Sequence, residues 1–299
     1  MNTRIFHLQA LSALHIGTGQ GVGTVDLPIA RSRATNLPLI PGSALKGVLR
    51  DEAKKQWGLK DDINVLFGAE SQQENPHAGA IAFGDAHLLL LPVRSFAGTV
   101  AYATCPFVLR RYARDTAAKH AVPDTEAEAL LCKNSKLKVS GEKIALEDLD
   151  LQAKECDEMN AWGDTLAAQL YPDTCEDAEA WREQLKQRLV LLPDNVFSFL
   201  ADTATEIRMR IRINRETRMV DKERGALWSE ENLPAESVLW GVMGIGNARD
   251  KSKQKQSAAG LSAKIPAGET AIQIGGKHTV GRGLCRLLIA ADTQAGEQA

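Results

Sequence analysis

The sequence has no paired cysteines. Its five, Cys105, Cys132, Cys156, Cys175 and Cys285, are scattered without a C-x-x-C pair. That spacing excludes a zinc framework or a disulfide scaffold and fits free thiols in a reducing cytoplasm. No stretch approaches the roughly 20 apolar residues that cross a bilayer, so no membrane partner is expected. Met1-Asn2-Thr3-Arg4-Ile5-Phe6 shows no apolar run followed by small residues, so no secretory signal is expected either. Nor is there a large excess of one charge, the formal net being −2.

That near-neutral total hides an uneven distribution. Between Ile144 and Glu183 stand 12 Asp or Glu, with only Lys154 and Arg182 as cations. Outside that block the chain carries 34 basic and 26 acidic residues, a net of +8. The remainder is therefore basic enough for an anionic polymer.

At 299 residues, 44% hydrophobic and 25% charged, the chain can bury a proper core. Arg4 to Ile16 predicts a strand, with Ile5, His7 and Gln9 interleaved with Phe6, Leu8 and Ala10. Glycines crowd positions 17–23. Val25-Asp26-Leu27-Pro28-Ile29 follows, where Pro28 forbids a central helix or strand position. Pro41-Gly42-Ser43 opens a helix with Leu45, Val48, Leu49 and Ala53 at helical spacing and Ser43 as the expected N-cap. Gly79 to Val93 reads as a strand region, and about 106–193 as a mostly helical insertion. Thr205 to Ile213 alternates strictly, Ile207, Met209, Ile211 and Ile213 against Arg208, Arg210 and Arg212. That pattern predicts a half-exposed strand with a basic face. Asn247 to Ala258 is a polar, lysine-rich loop. Strands at Thr270–Ile274 and Leu284–Ile289 enclose a glycine loop, and 291–299 reads as a loose tail. Strands at both ends with helices between them predict an α+β fold, one domain over 1–299.

The glycine stretch is not a dinucleotide fingerprint. G-x-G-x-x-G would need glycine at Val22 or Thr24, and a proline-bearing segment follows where a helix should start. A P-loop is absent as well, since Gly275-Gly276-Lys277 is followed by His278. Such loops still let a backbone approach an anion closely. In the helix at Ser43, Lys46 sits in the first turn against the positive end of the dipole, and Arg50 adds a like charge one turn on. A phosphate at that helix N-terminus would relieve both, bound by the Ser43 hydroxyl, the Lys46 ammonium and backbone N–H groups; the alternative is a Lys46 that extends into solvent. Arg208, Arg210 and Arg212 recur about every 6.8 Å along a strand, near the phosphate repeat of extended single-stranded RNA, and Arg215, Arg218, Lys222 and Arg224 continue the basic run. A solvated basic face is the other reading. Asp26 lies in a glycine-flanked loop close to His15. A lone carboxylate beside RNA can orient a 2′-hydroxyl or hold a divalent cation, but it is too little for a two-metal site.

Jointly these residues resemble a known family. His15-Ile16-Gly17-Thr18-Gly19, Val25-Asp26-Leu27-Pro28-Ile29 and Ile40-Pro41-Gly42-Ser43-Ala44-Leu45-Lys46-Gly47 are similar to the N-terminal signature of RAMP-superfamily CRISPR proteins. More narrowly, they resemble the repeated backbone subunit of type III-B (Cmr) effector complexes. Gly225-Ala226-Leu227-Trp228 and Gly275-Gly276-Lys277-His278-Thr279-Val280-Gly281-Arg282-Gly283 fit the same subunit. The resemblance implies an RRM-like (ferredoxin-like) palm with a helical insertion and a β-hairpin thumb over about 212–234. It implies copies stacked head-to-tail along a crRNA with other Cmr subunits, each thumb interrupting the guide–target duplex. It also implies an endoribonuclease that cuts target RNA at regular intervals with a divalent metal, Mg or Mn. By the same resemblance Asp26 is the catalytic residue. RNA contacts fall on Ser43, Lys46 and Arg50, on Arg208, Arg210 and Arg212, and on Gly276, Lys277, His278 and Arg282. With only 5% aromatic residues, recognition through backbone and shape fits better than extensive base stacking on a sheet.

Three further readings stay open on the sequence. One is a non-catalytic RNA-binding scaffold in which Asp26 is structural. Another is a guide-processing endoribonuclease that uses His15 or His278. The third is a small-molecule enzyme with a phosphate-binding helix.

Overall fold

The computed structural model describes residues 1–292 apart from 20, 22, 60–61, 70–75, 215, 221–226 and 251–255. The tip of the expected thumb (Arg215, Lys222 and Arg224), the centre of the lysine-rich loop and residues 293–299 of the expected tail lie outside the described residues.

Strand β1 spans Asn2–Ala10 and is an interior strand of the main sheet. From Phe6 to Ala10 it is buried on both faces, so His7 and Gln9 lie in the interior beside the apolar residues. The short β2 (Leu39–Ile40) leads into α1 (Gly42–Lys55), which buries Leu45, Leu49 and Ala53. Then come α2 (Ile63–Phe67), β3 (Ile81–Phe83), β4 (Ala86–Arg94), β5 (Val100–Thr104) and α3 (Pro106–Thr116). The middle of the chain holds β6 (Ala129–Leu131), β7 (Lys138–Ser140), β8 (Lys143–Leu146), β9 (Leu149–Glu155), α4 (Asp157–Leu170), α5 (Ala178–Lys186) and β10 (Leu189–Leu191). After α6 (Asp194–Thr203), β11 (Glu206–Ile211) and β12 (Leu227–Asn232) form a hairpin. The chain closes with β13 (Val238–Ile245), α7 (Ala258–Ser262), β14 (Gly268–Gln273) and β15 (Leu284–Ile289).

Eleven strands run in the order β14-β15-β1-β13-β4-β5-β10-β6-β9-β8-β7, with β2 added on β4 and β3 on β13. The α+β class is as expected. The middle segment is not mostly helical, because it supplies five strands that extend the sheet. Two of them, β6 and β10, are three-residue apolar runs whose partners are distant in sequence. Runs that short carry no alternation to set them apart from an apolar helix face. The hairpin stem also begins earlier than the expected 212–234, at Glu206, and Asp292 at the start of the expected tail accepts hydrogen bonds from Asn2 and Ser262. Ile207, Met209, Ile211 and Ile213 are 47–60% exposed, so the stem shows water its aliphatic face as well as its basic one. No helix among the described residues is long and apolar enough to cross a membrane.

Candidate RNA-facing cleft

His15 ties the two glycine segments together. Its ring is buried, and Nδ1 donates to the Glu231 carbonyl at 2.7 Å. A Cβ on Gly17 would stand 2.8 Å from its Nε2, and one on Gly275, at φ +88°, would stand 2.4 Å from its carbonyl oxygen. Only glycine lets both loops close over this residue. Gly276 N–H then donates to the same carbonyl at 3.0 Å. His15 is thus a packed strut between two loops, and His278 lies exposed in a short 3₁₀ turn (His278–Val280).

The Asp26 loop runs along the free edge of β12. Leu27 N–H donates to the Ser229 carbonyl, and Glu231 N–H donates to the Leu27 carbonyl. Asp26 Oδ2 accepts from both the backbone N–H and the hydroxyl of Ser229, at 2.8 Å each. These bonds, the backbone one foremost, hold the Asp26 carboxyl below the ordinary aspartate range, so it is ionised at neutral pH. Arg31 anchors the far end of the loop, bridging Glu231 at 2.6 Å and Asp202 at 2.9 Å, while Glu231 also accepts from Ile29 N–H and the Thr205 hydroxyl.

Gly21, Asp26 and Leu27 from this loop, Arg212 and Trp228 from the hairpin, and Lys277 from the glycine loop line one open cleft of about 450 Å³. The three arginines of the basic strand are not equivalent there. Arg208 is paired with Glu206 at 2.6 Å, and Arg210 stands 3.8 Å from Glu230. Arg212 lines the cleft, and among the described residues its guanidinium makes no ion pair. Lys277 is already engaged, its ammonium 3.0 Å from Glu230 Oε1 and 5.8 Å from the centroid of the Trp228 ring. Glu230 is 0% exposed, and its Oε1 also accepts from Trp228 Nε1 at 2.7 Å. Burial pushes its carboxyl upward; the Trp228 and Lys277 hydrogen bonds and the nearby cations outweigh that and leave it below the usual range. Its Oε2 has no hydrogen-bond partner among the described residues. Arg282 is 8% exposed, and its Nε likewise has none. A buried guanidinium nitrogen left without an acceptor is costly unless an anion or water reaches it.

Ser43, Lys46 and Arg50 belong to a different neighbourhood. The N-cap of α1 is Pro41, Ser43 lies exposed within the first turn, and no side chain of the cap closes the helix. The expected anion at that terminus is supplied by the chain itself, for Gly42 N–H donates to Asp85 at 2.9 Å. Lys46 donates to the Ile81 carbonyl and Arg50 to Asn64 and the Gly68 carbonyl. Burial and the charges of Arg249 and Arg50 push the Lys46 ammonium down, a local excess of positive charge that leaves room for an anion. Arg249 joins this cluster from the polar loop at 247–258.

Beside Asp26 the cleft walls carry cations, and among the described residues no three of His, Cys, Asp and Glu come together. The donors present do not fit a resident divalent ion, which wants several oxygen ligands.

Comparison with known proteins agrees along almost the whole chain. Residues 7–286 match the profile of the RAMP superfamily. The chain is 31% identical over 316 aligned residues to the CRISPR system Cmr endoribonuclease Cmr4 of Pyrococcus furiosus, covering 99% of this chain and 98% of that protein. It is 24% identical to the CRISPR system CMR subunit Cmr4 of Saccharolobus solfataricus, covering 94% of each. The crystal structure of oligomeric Cmr4 from P. furiosus superposes with a TM-score of 0.71 at 25% identity, covering 97% of this chain and 98% of that one. A chain of a type III-B Cmr-beta complex bound to cognate target RNA shares the fold, with a TM-score of 0.69 at 19% identity over 97% of each chain.

Proposed function

This chain belongs to the RAMP superfamily, and on that premise we propose that it is a crRNA-binding backbone subunit of a type III-B (Cmr) CRISPR complex and the subunit that cuts target RNA. The name of its P. furiosus relative, an endoribonuclease, supports the activity, and the oligomeric crystal form of that relative supports copies stacked head-to-tail. The strand order β15-β1-β13-β4, antiparallel throughout, supports an RRM-like palm. Its crossovers carry α1 between β1 and β4 and α7 between β13 and β15, the split βαβ arrangement. The β11–β12 hairpin is then the thumb.

The observation that carries the reading is the convergence of Asp26, Arg212, Trp228 and Lys277 on one open cleft from three separate segments. A target strand laid there meets a fixed carboxylate and a guanidinium that has no ion-pair partner among the described residues. Asp26 accepts a hydrogen bond from the ribose 2′-hydroxyl and turns its oxygen toward the adjacent phosphorus. The O2′–P bond forms as the P–O5′ bond breaks, leaving a 2′,3′-cyclic phosphate and a 5′-hydroxyl. The 2′ proton leaves through Asp26 to solvent, and O5′ takes one from water. Arg212 offsets the charge on the non-bridging oxygens. A carboxylate held below its ordinary range is a weak base, so the reaction is slow. A divalent ion, Mg or Mn, enters this proposal as one carried in by RNA phosphates, since the donors among the described residues make no site for it. The guide is held by Arg282 and the glycine loop on one side and by Ser43, Lys46, Arg50 and Arg249 on the other.

The test is target cleavage by a reconstituted complex carrying Asp26→Ala. Periodic cuts should vanish while guide and target binding persist. Because Ser229 occupies Oδ2, a purely structural Asp26 is the competing reading, and cuts that survive the substitution would establish it.

A further inference from the structure

Four of the five tryptophans lie away from the candidate cleft, and of these Trp57 packs partly buried against the core. Trp162 and Trp240 are fully buried, and Trp181 lines a separate cavity beside Tyr171. Trp228 is partly exposed and, among the described residues, is the one aromatic side chain in the wall that also holds Asp26. We propose that Trp228 is the stacking surface for the base of a nucleotide flanking the scissile bond, which makes it a specificity-determining residue of the cut. The inference rests on the cleavage reading above and adds what that reading lacks, a group that recognises the base.

The indole is held in place from its edge. Trp228 Nε1 donates to the buried Glu230 carboxylate, which the Lys277 ammonium also neutralises. A ring that pivots freely loses stacking energy to its own entropy, whereas one tethered at the nitrogen does not. The same pairing takes Lys277 out of competition for phosphate, which leaves Arg212, among the described residues, as the cation available in the cleft. The work in the cleft then divides by chemistry, with Arg212 for the phosphate, Asp26 for the 2′-hydroxyl and the indole for the base.

Connectivity makes the position informative. Ser229, the residue that grips Asp26 through its N–H and hydroxyl, directly follows Trp228. A base seated on the indole is thereby indexed to the carboxylate through a single peptide unit. A base already flipped from the guide–target duplex has no stacking partner of its own, so an aromatic surface recovers what it lost. Every base has a π-face, and the larger purine face is favoured over a pyrimidine one.

The experiment is a cycle on the assembled, guide-loaded complex, with single-turnover cleavage as the readout. Target RNAs carry an abasic ribose, its 2′-hydroxyl intact, at one or the other nucleotide flanking a cut. The wild-type complex should cut one of these abasic targets slower than the intact target, on the order of ten- to a hundredfold. Trp228→Leu should slow the intact target by a similar factor and the abasic target no further. Trp228→Phe keeps a stacking face without the indole N–H tether, and should recover part of the rate that Trp228→Leu loses. Penalties that simply multiply, or a Trp228→Phe complex as slow as Trp228→Leu, would overturn the proposal and leave Trp228 a mere partner of Glu230. Guide binding by each variant reports assembly. The cleavage reading is checked separately by Asp26→Ala, so its failure shows up in a different measurement.

Discussion

Ser229 holds Asp26 by two hydrogen bonds to a single oxygen, from its backbone N–H and its hydroxyl, both 2.8 Å from Oδ2. The hydroxyl also accepts from Asp26 N–H at 3.0 Å. One serine therefore fixes both the position and the ionisation of the carboxylate at the cleft.

Ser229→Ala removes the hydroxyl bond and leaves the backbone one. The Asp26 carboxyl, now depressed by both, should rise toward its ordinary value. Since the ionised form is the working one, the acid limb of the pH–rate profile should move to higher pH, and the rate at neutral pH should fall several-fold as the carboxylate loses its alignment. An unmoved acid limb would mean that Asp26 ionisation does not govern the rate.

The arginines should separate by their partners. Arg212→Ala and Arg282→Ala should each weaken RNA binding and lower the slope of log affinity against log salt by about 0.7–1. Arg208→Ala should do less, because its charge is already matched by Glu206. Equal slopes for all three would show that intramolecular pairing is irrelevant to RNA contact.

Gly283 sits at φ +76°, and a Cβ there would lie 1.9 Å from the Ile274 carbonyl oxygen. Gly283→Ala should cost more than about 1 kcal/mol in the isolated chain. By displacing the glycine loop it should also weaken guide binding. Thermal unfolding and an RNA-binding titration measure the two effects, and a wild-type melting temperature would refute the strain.

His7 is fully buried against the Tyr112 hydroxyl at 2.8 Å, and burial lowers its pKa from 6.5 to about 4. Between those values the unfolded chain binds a proton that the folded one refuses. This contribution is therefore complete above about 6.5 and is lost as pH falls toward about 4, at up to about 1.4 kcal/mol per pH unit. Denaturant unfolding across that window should show the slope in the wild type and a smaller one in His7→Gln.

How far the molecule was legible can be judged on particular residues. The β15 bounds and the helical face of Leu45, Leu49 and Ala53 follow from periodicity, which is a local property. The acidic middle segment misleads, because β6 and β10 are strands only by virtue of distant partners. Ser43 as N-cap fails for a similar reason. Asp85, contributed by the turn between β3 and β4, reaches the terminus of α1 and takes the place expected of a serine hydroxyl or a bound phosphate.

Local sequence alone settles the α+β class, the glycine loops and the alternation of Arg208, Arg210 and Arg212, because each depends on neighbours a few residues apart. It also marks Lys46 as a residue out of place in the first turn of an ordinary helix. Only the tertiary structure decides which charges are already matched. Arg208 and Lys277 are paired, whereas Arg212 lies open to the cleft. Lys277 meets Glu230, and Asp26 meets Ser229, across pairings and bridges between distant segments. Electrostatic partnership is set by that non-local register, and no pattern of spacing along a chain records it.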